Sequence, residues 1–292
     1  MPMKPFSHAV NDGPVVVALI EPPAGAELGA FVSLAEGLRN RVSAFLVADN
    51  PTAQARLSAL TAAHVLADRE METVVAFSCR DRNRLALASD LLAAEALGLC
   101  NVLAVTGDHP SLGSEPGARP VYDLDSVQLL EMIRGLNQGR RPDGGTIDPP
   151  TRLFAGATVN PEVHSPEGQM LKFRLKAQAG AGFFFSQAIF HPERFETLAA
   201  EARGLNVKVL AGLRLIGPEE APMIAAKLRP WLNLPPEIAA ELAAAPDKAL
   251  DRSLELALKT ASALKGRTDG FVVMAPGLAK ELPDIIERLN LV

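Results

Sequence analysis

Short, unbroken apolar runs recur along the chain, each separated from the next by enough residues for one helix. Val15–Ile20 reads VVVALI, and similar runs follow at Val42–Val47, Thr73–Ser78, Asn101–Thr106, Leu153–Val159, Gly182–Gln187, Lys208–Leu215 and Gly270–Ala275. Runs rich in β-branched residues and lacking polar alternation are expected of strands covered on both faces. Between them the spacing changes to the helical period. Glu27–Arg39 carries apolar residues at Leu28, Phe31, Leu34 and Leu38, and Arg84–Ala96, Ser126–Leu136, Glu167–Ala179, Pro192–Ala202 and Pro218–Leu228 are patterned alike. Pro235–Lys265 adds two Ala/Leu-rich helices before the last strand.

Strand and helix alternate through eight units, which predicts an α/β fold of the (βα)8 TIM-barrel class. The barrel is expected to be one domain over residues 1–292, with residues 1–14 a short N-terminal extension. The rival is a doubly wound open sheet, which usually opens on a Gly-rich phosphate turn. Here the first turn is Glu21-Pro22-Pro23-Ala24-Gly25. Two loops are long. Gly107–Asp125 follows the fourth strand, and a long irregular loop in a compact domain is usually functional. Gly139–Pro150 precedes a strand and so belongs to the opposite end of the barrel.

The 292 residues are 48% hydrophobic, enough for one large core. A net charge of -5 gives no electrostatic footprint for nucleic acid. No apolar stretch reaches the roughly 18 residues of a membrane span. Met1–Gly13 has no apolar signal region, and Cys79 and Cys100, the only cysteines, lack metal-ligand spacing. Cytoplasm is therefore the expected compartment, with no metal site.

Active-site groups of a barrel sit at the carboxyl ends of its strands. Those positions hold Glu21, Asp49, Asn50, Ser78, Arg80, Asp81, Asp108, Thr158, Asn160, Glu162, Gln187 and Arg214. Any one of them alone also fits a helix cap, as Asp49 or Asn50 before Pro51 does, and Asp125 and Ser126. No Ser–His or Cys–His signature, HExxH or Walker loop is present. The ring suits binding of a flat, hydrogen-bonding heterocycle, and the residues alone lead to a barrel enzyme acting on a polar small molecule.

Five strings narrow this. Ser78-Cys79-Arg80-Asp81-Arg82-Asn83 with Ser89-Asp90-Leu91-Leu92, Asn101–Asp108 ending in Gly-Asp, Val121–Ser126, Asn160-Pro161-Glu162-Val163-His164, and Ala179-Gly180-Ala181 with Ser186-Gln187 occur in this order. Together they resemble the methylenetetrahydrofolate reductase family, in particular the form fused to homocysteine methyltransferase. The resemblance implies reduction of methylenetetrahydrofolate to methyltetrahydrofolate, with NAD(P)H reducing a bound FAD, and a homo-oligomer. It places Asp108 beside flavin and pterin and Gln187 on the pterin edge. Ser78, Thr106, Tyr122, Thr158, Asn160 and His164 would line the FAD site, with Lys176 on the FAD phosphates.

Two positions depart from that pattern. The family's first-strand general acid, a glutamate, is Leu19 here, and a leucine transfers no proton. Glu21 lies on the same strand face, about 6.6 Å further along, and is the candidate replacement. Ala76 stands where the family commonly has a histidine near the flavin. Three readings stay open: an FAD-dependent reductase running in either direction, a flavin-independent pterin methyltransferase, and a non-catalytic barrel subunit.

Overall fold

The computed structural model describes residues 2–163, 165–225, 232 and 234–291. Eight strands form its centre: β1 (Val15–Ile20), β2 (Ala44–Val47), β3 (Thr73–Ser78), β4 (Asn101–Val105), β5 (Phe154–Val159), β6 (Phe183–Ala188), β7 (Lys208–Arg214) and β8 (Gly270–Met274). Each pairs in parallel with the next, and β8 returns to β1 with Val15 opposite Gly270 and Ala18 opposite Val273. The sheet is closed, so the open-sheet alternative falls and the barrel stands.

The strand parity explains why the apolar runs are continuous. Val15 and Val17 point into the barrel with Ala44, Leu46, Val74, Ala76, Leu103, Phe183, Phe185, Leu210 and Val272. Val16, Ala18 and Ile20 point outward and pack with Phe45, Val75, Val102 and the buried faces of the helices. Both faces are covered, as a parallel barrel requires. The interior is filled by matching large to small. A Cβ on Gly156 would lie 2.3 Å from the Phe183 ring, so that position has to be glycine.

The surrounding helices are α2 (Gly29–Leu38), α3 (Ala59–Ala67), α4 (Arg84–Ala96), α5 (Ser126–Asn137), α6 (Pro166–Ala179), α7 (Pro192–Leu205), then α8 (Glu220–Ala225), α9 (Pro236–Ala244) and α10 (Ala249–Leu264) before β8, and α11 (Leu282–Leu289) after it. Of the helix expected at Pro218–Leu228, α8 is the described part, and residues 226–228 lie outside the described residues. None of the described helices is long and apolar enough to cross a membrane.

Residues 1–14, expected as a plain extension, contain a structural element. Helix α1 (Phe6–Asp12) buries Phe6 and Val10. The Phe6 ring meets Phe183 edge-on at 5.1 Å and lies 6.3 Å from Phe154, at the amino-terminal ends of β6 and β5. Its N–H donates to Glu72 Oε1 at 2.7 Å, and Asn101 Nδ2 donates to the same oxygen. The helix thus plugs the end of the barrel opposite the loops that follow the strands. Gly139–Pro150 lies between α5 and β5, on the same side as the plug, with an antiparallel bridge between Arg140 and Thr146.

Candidate functional site

At the carboxyl ends of β3 and β4 the organising group is Arg80. It is 2% exposed, and its guanidinium reaches four acceptors. Nε and Nη2 donate to the two carboxylate oxygens of Asp81 at 2.7 and 2.6 Å. Nη1 donates to the Asp108 carbonyl and Nη2 also to the Asn50 carbonyl, each at 3.2 Å. A planar fork with five N–H groups suits such a junction of three loops. Asn50 Nδ2 adds a bond to Asp81 Oδ2 at 3.2 Å. Asp49 is buried and accepts from the Ser78 N–H at 2.8 Å and from Arg82 Nη1 at 2.6 Å, and Arg82 Nε reaches Asp90 at 2.8 Å. Neither Asp49 nor Asn50 caps the turn at Pro51–Ala53, because both side chains bind these loops instead. Asp125 does cap α5, in a capping box with Gln128.

Gly107 (φ +90°) lets the β4 loop close over β3, since a Cβ there would sit 2.3 Å from Ser78 Oγ. Ser78 is sealed beneath it at 0% exposure, and its hydroxyl accepts from the Arg80 N–H at 3.2 Å. Its side chain therefore lies sealed under the loop, with no exposed surface. The long loop after β4 is strapped down at both ends of its course. The Val121 N–H donates to the Arg80 carbonyl at 2.8 Å, and the Ser114 N–H to the Ala53 carbonyl at 3.2 Å. Tyr122 adopts φ +43° and donates its hydroxyl to the Gly107 carbonyl at 3.1 Å. Asp108 and Tyr122 are thus neighbours, both half-buried. Burial pushes the Asp108 carboxyl above the usual range, with Arg80 pulling the other way. The Tyr122 phenol is also raised, by burial first, against the pull of Arg80.

On the β5–β6 side, a register shift between Phe185 and Ala188 leaves Gln187 exposed at the rim. Ser186 stabilises the bulge by accepting the Gly212 N–H at 2.8 Å. Asn160 accepts the Glu162 N–H at 3.0 Å, forming a local turn. Glu162 is a buried clamp that sequence reasoning left without a partner. Its carboxylate accepts from the Phe190 and His191 N–H groups at 2.9 Å and from His191 Nδ1 at 2.7 Å. The partners lie 28 and 29 residues away, so no local pattern announces them. His164 lies outside the described residues. Thr106 is exposed and its hydroxyl donates to Ser126 Oγ at 3.3 Å, away from the Asp108 cluster.

Lys176, on α6, donates its ammonium to the Thr158 carbonyl at 2.7 Å. Burial, and then Lys172, pull it down to about 8, with Asp125 opposing. Because this folded value lies below the ordinary 10.5, the charged group opposes folding at neutral pH and stops doing so as pH rises from 8 through 10.5. Lys176→Met is expected to raise stability at pH 7 by about 1 kcal/mol after loss of the carbonyl bond is counted. Urea melts at several pH values check this, and the gap should shrink steadily between pH 8 and 10.5.

The β1–β7 side holds a second group of charges. Leu19 packs half-buried against the interior cluster, and Ala76 is buried within it. Glu21 lies just beyond β1, with Arg56 Nη2 3.5 Å from its Oε2. Arg214, the last residue of β7, pairs with Glu220 at the start of α8. Burial raises the Glu21 carboxyl, while Arg56 and Arg214 lower it and Glu220 raises it again. The structure therefore groups Asp108, Tyr122 and Ser78 around Arg80, Thr158 with Lys176, and Glu21 with Arg56. Asn160, just after β5, and Gln187, on the neighbouring β6, lie on the Thr158 side of the mouth.

A model of the family described as methylenetetrahydrofolate reductase matches residues 31–286. A Caenorhabditis elegans protein described as "Probable methylenetetrahydrofolate reductase (NADPH)" is 27% identical over 176 residues, which cover 59% of this chain and 24% of that protein. The chain thus spans only a minor part of that relative's length. A Clostridium thermocellum protein, solved as one that binds two copies of 5-methyl-5,6,7,8-tetrahydrofolic acid, shares the fold with a TM-score of 0.62 over 97% of both chains at 13% identity. The family match begins beyond β1, so the strand carrying Leu19 lies outside it, while the loops that build the Asp108 and Gln187 sites lie within. With a match covering most of its length, the chain belongs to the methylenetetrahydrofolate reductase family.

Proposed function

We propose that the chain binds a reduced folate at the barrel mouth and interconverts 5,10-methylenetetrahydrofolate and 5-methyltetrahydrofolate with FAD and NAD(P)H. The observation that carries this reading is the mounting of Asp108. A half-buried carboxyl raised by burial is held on a loop that Gly107, Tyr122 and the buried Arg80 fix from three sides. Such a group suits a cyclic amidine edge, where a carboxyl exchanges paired hydrogen bonds with ring N–H and amino groups. Gln187 adds an exposed amide with both donor and acceptor on the neighbouring rim. The folate-bound Clostridium thermocellum barrel supports the ligand class, and the family supports the reaction.

Lys176 is the observation against which FAD is tested. Its half-buried ammonium lies within the field of Lys172 and meets a carbonyl rather than a carboxylate, an environment that an anion would complete. A diphosphate fits there. Lys176 would hold it, with Tyr122, Thr158 and Asn160 beside the rest of the cofactor, and Ser78 would contribute only its place under the loop. When bound, FAD would supply the hydride carrier between NAD(P)H and the one-carbon unit. The protein's own part is to orient the pterin through Asp108 and Gln187 and to move one proton.

The decisive experiment is anaerobic titration of the purified protein with NAD(P)H, followed by methylenetetrahydrofolate. Bleaching and recovery of a flavin spectrum are expected. Asp108→Asn should lower turnover by about 10²-fold or more, as loss of a positioned carboxyl does. Unchanged turnover in that variant would remove Asp108 from the reaction. Leu19 and Ala76 favour a second reading, methyl transfer from a bound methyltetrahydropterin, which needs neither flavin nor the missing acid. A colourless protein that binds 5-methyltetrahydrofolate would overturn the flavin-dependent reading, and transfer of its methyl group to a thiol or corrinoid acceptor would then establish methyl transfer.

A further inference from the structure

Among the described residues, most guanidinium groups around the mouth have close partners; Arg56 has none, and Arg214, though paired with Glu220, also keeps a buried Nε without a partner. Arg80 chelates Asp81, Arg82 bridges Asp49 and Asp90, Arg194 donates to the Glu162 carbonyl, and Arg214 pairs with Glu220. Among the described residues, the only hydrogen bond of the Arg56 side chain is the 3.5 Å contact with Glu21, longer than a good N–H···O bond. Its Nε is buried and has no partner.

Arg56 is nonetheless firmly placed. Its own N–H donates to Asn50 Oδ1 at 2.9 Å, and the flanking Ala55 and Leu57 N–H groups donate to Ser114 Oγ and the Pro23 carbonyl, each at 2.9 Å. A side chain that is 27% exposed thus rises from a backbone fixed to its own loop at Asn50 and to two other segments of the mouth. A mobile surface arginine would have no such mounting.

We propose that Arg56 is the receptor for a carboxylate on the bound ligand. This rests on the reduced-folate reading and assigns the ligand's acidic end to Arg56 and Glu21, on the loops after β2 and β1, a group separate from the pterin-reading side chains Asp108 and Gln187. The local charges favour a singly charged carboxylate over a phosphate. Glu21, Arg56, Arg214 and Glu220 sum to zero when both carboxyls are ionised and to one positive charge when Glu21 is protonated. Burial of Glu21 favours its neutral form, which leaves Arg56 free to pair with an incoming anion. With Glu21 neutral, the one net positive charge of the cluster matches one carboxylate group at Arg56, while the compact double charge of a phosphate would exceed it. An arylamide bearing a glutamate, as in folate, carries both a flat head and such a carboxylate.

The test compares two probes, 5-methyltetrahydrofolate and 6-methyltetrahydropterin, which has no glutamate tail. Arg56→Gln should weaken binding of the folate by at least tenfold, in proportion to a lost charge-assisted bond, and change binding of the tail-less pterin by less than twofold. Arg56→Lys, which keeps the charge, should recover part of the loss. Equal effects of Arg56→Gln on both probes, or no effect on either, would overturn the proposal and leave the folate reading intact. A wild-type protein with affinity for neither probe would overturn both.

Discussion

Arg80→Met is expected to destabilise the protein by about 3 kcal/mol, within the range for breaking a buried, hydrogen-bonded charge pair. The methionine fills similar space, so the loss is chiefly electrostatic. Two loop carbonyls, Asn50 and Asp108, lose a donor, and Asp81 keeps only Asn50 as a side-chain partner. Asp81 is a third exposed and can recover some hydration, which limits the effect. Arg80→Lys should restore less than half of it, because an ammonium cannot reach a bidentate carboxylate and two carbonyls at once. Urea denaturation measures the change as a shift in midpoint at constant slope. The same variant should lose ligand affinity, since Arg80 sets the carbonyl of Asp108 itself. A stable Arg80→Met protein with normal affinity would show that the loops are held by packing alone.

The barrel was legible in the sequence because its signal is local. A strand covered on both faces must be apolar throughout, and β1 and β3 begin and end where their apolar runs do. The rim positions were legible for the same reason, since strand ends alone locate the mouth. Partnership was not. Ser78 at a strand end looks available, yet Gly107, 29 residues on, covers it. Glu162 looks like a site carboxylate, yet it holds the start of α7. Phe6 looks like part of a tail, because only the folded barrel gathers Phe154, Phe183 and Phe185 around it. In each case the deciding contact joins residues far apart in the chain. Arg80 is the clearest example, a surface-type residue in sequence and, among the described residues, the most buried cation of the mouth in structure.

Glu21→Gln is expected to lower turnover by about 10²-fold, the usual contribution of a positioned general acid. Opening the methylene bridge requires one proton on the departing nitrogen, and Leu19 has none to give. Glu21 is the carboxyl nearest that position in the chain, and its burial keeps it protonated to higher pH than an exposed glutamate. An acid must be protonated to act, so the wild-type rate should be high at low pH and fall as pH rises through the raised Glu21 value. The amide cannot titrate, and that descent should vanish in Glu21→Gln while folate binding persists. Adding Leu19→Glu to the same variant places a carboxyl on the inward face of β1, where Leu19 is half-buried at the mouth. It should recover at least tenfold of the lost rate, at a stability cost of about 1–3 kcal/mol for burying a polar group. Recovery by Leu19→Glu would mean that the two positions serve one proton. A Glu21→Gln enzyme with the wild-type rate and pH profile would mean that the proton comes from water, and Glu21 would then remain only as the loose partner of Arg56.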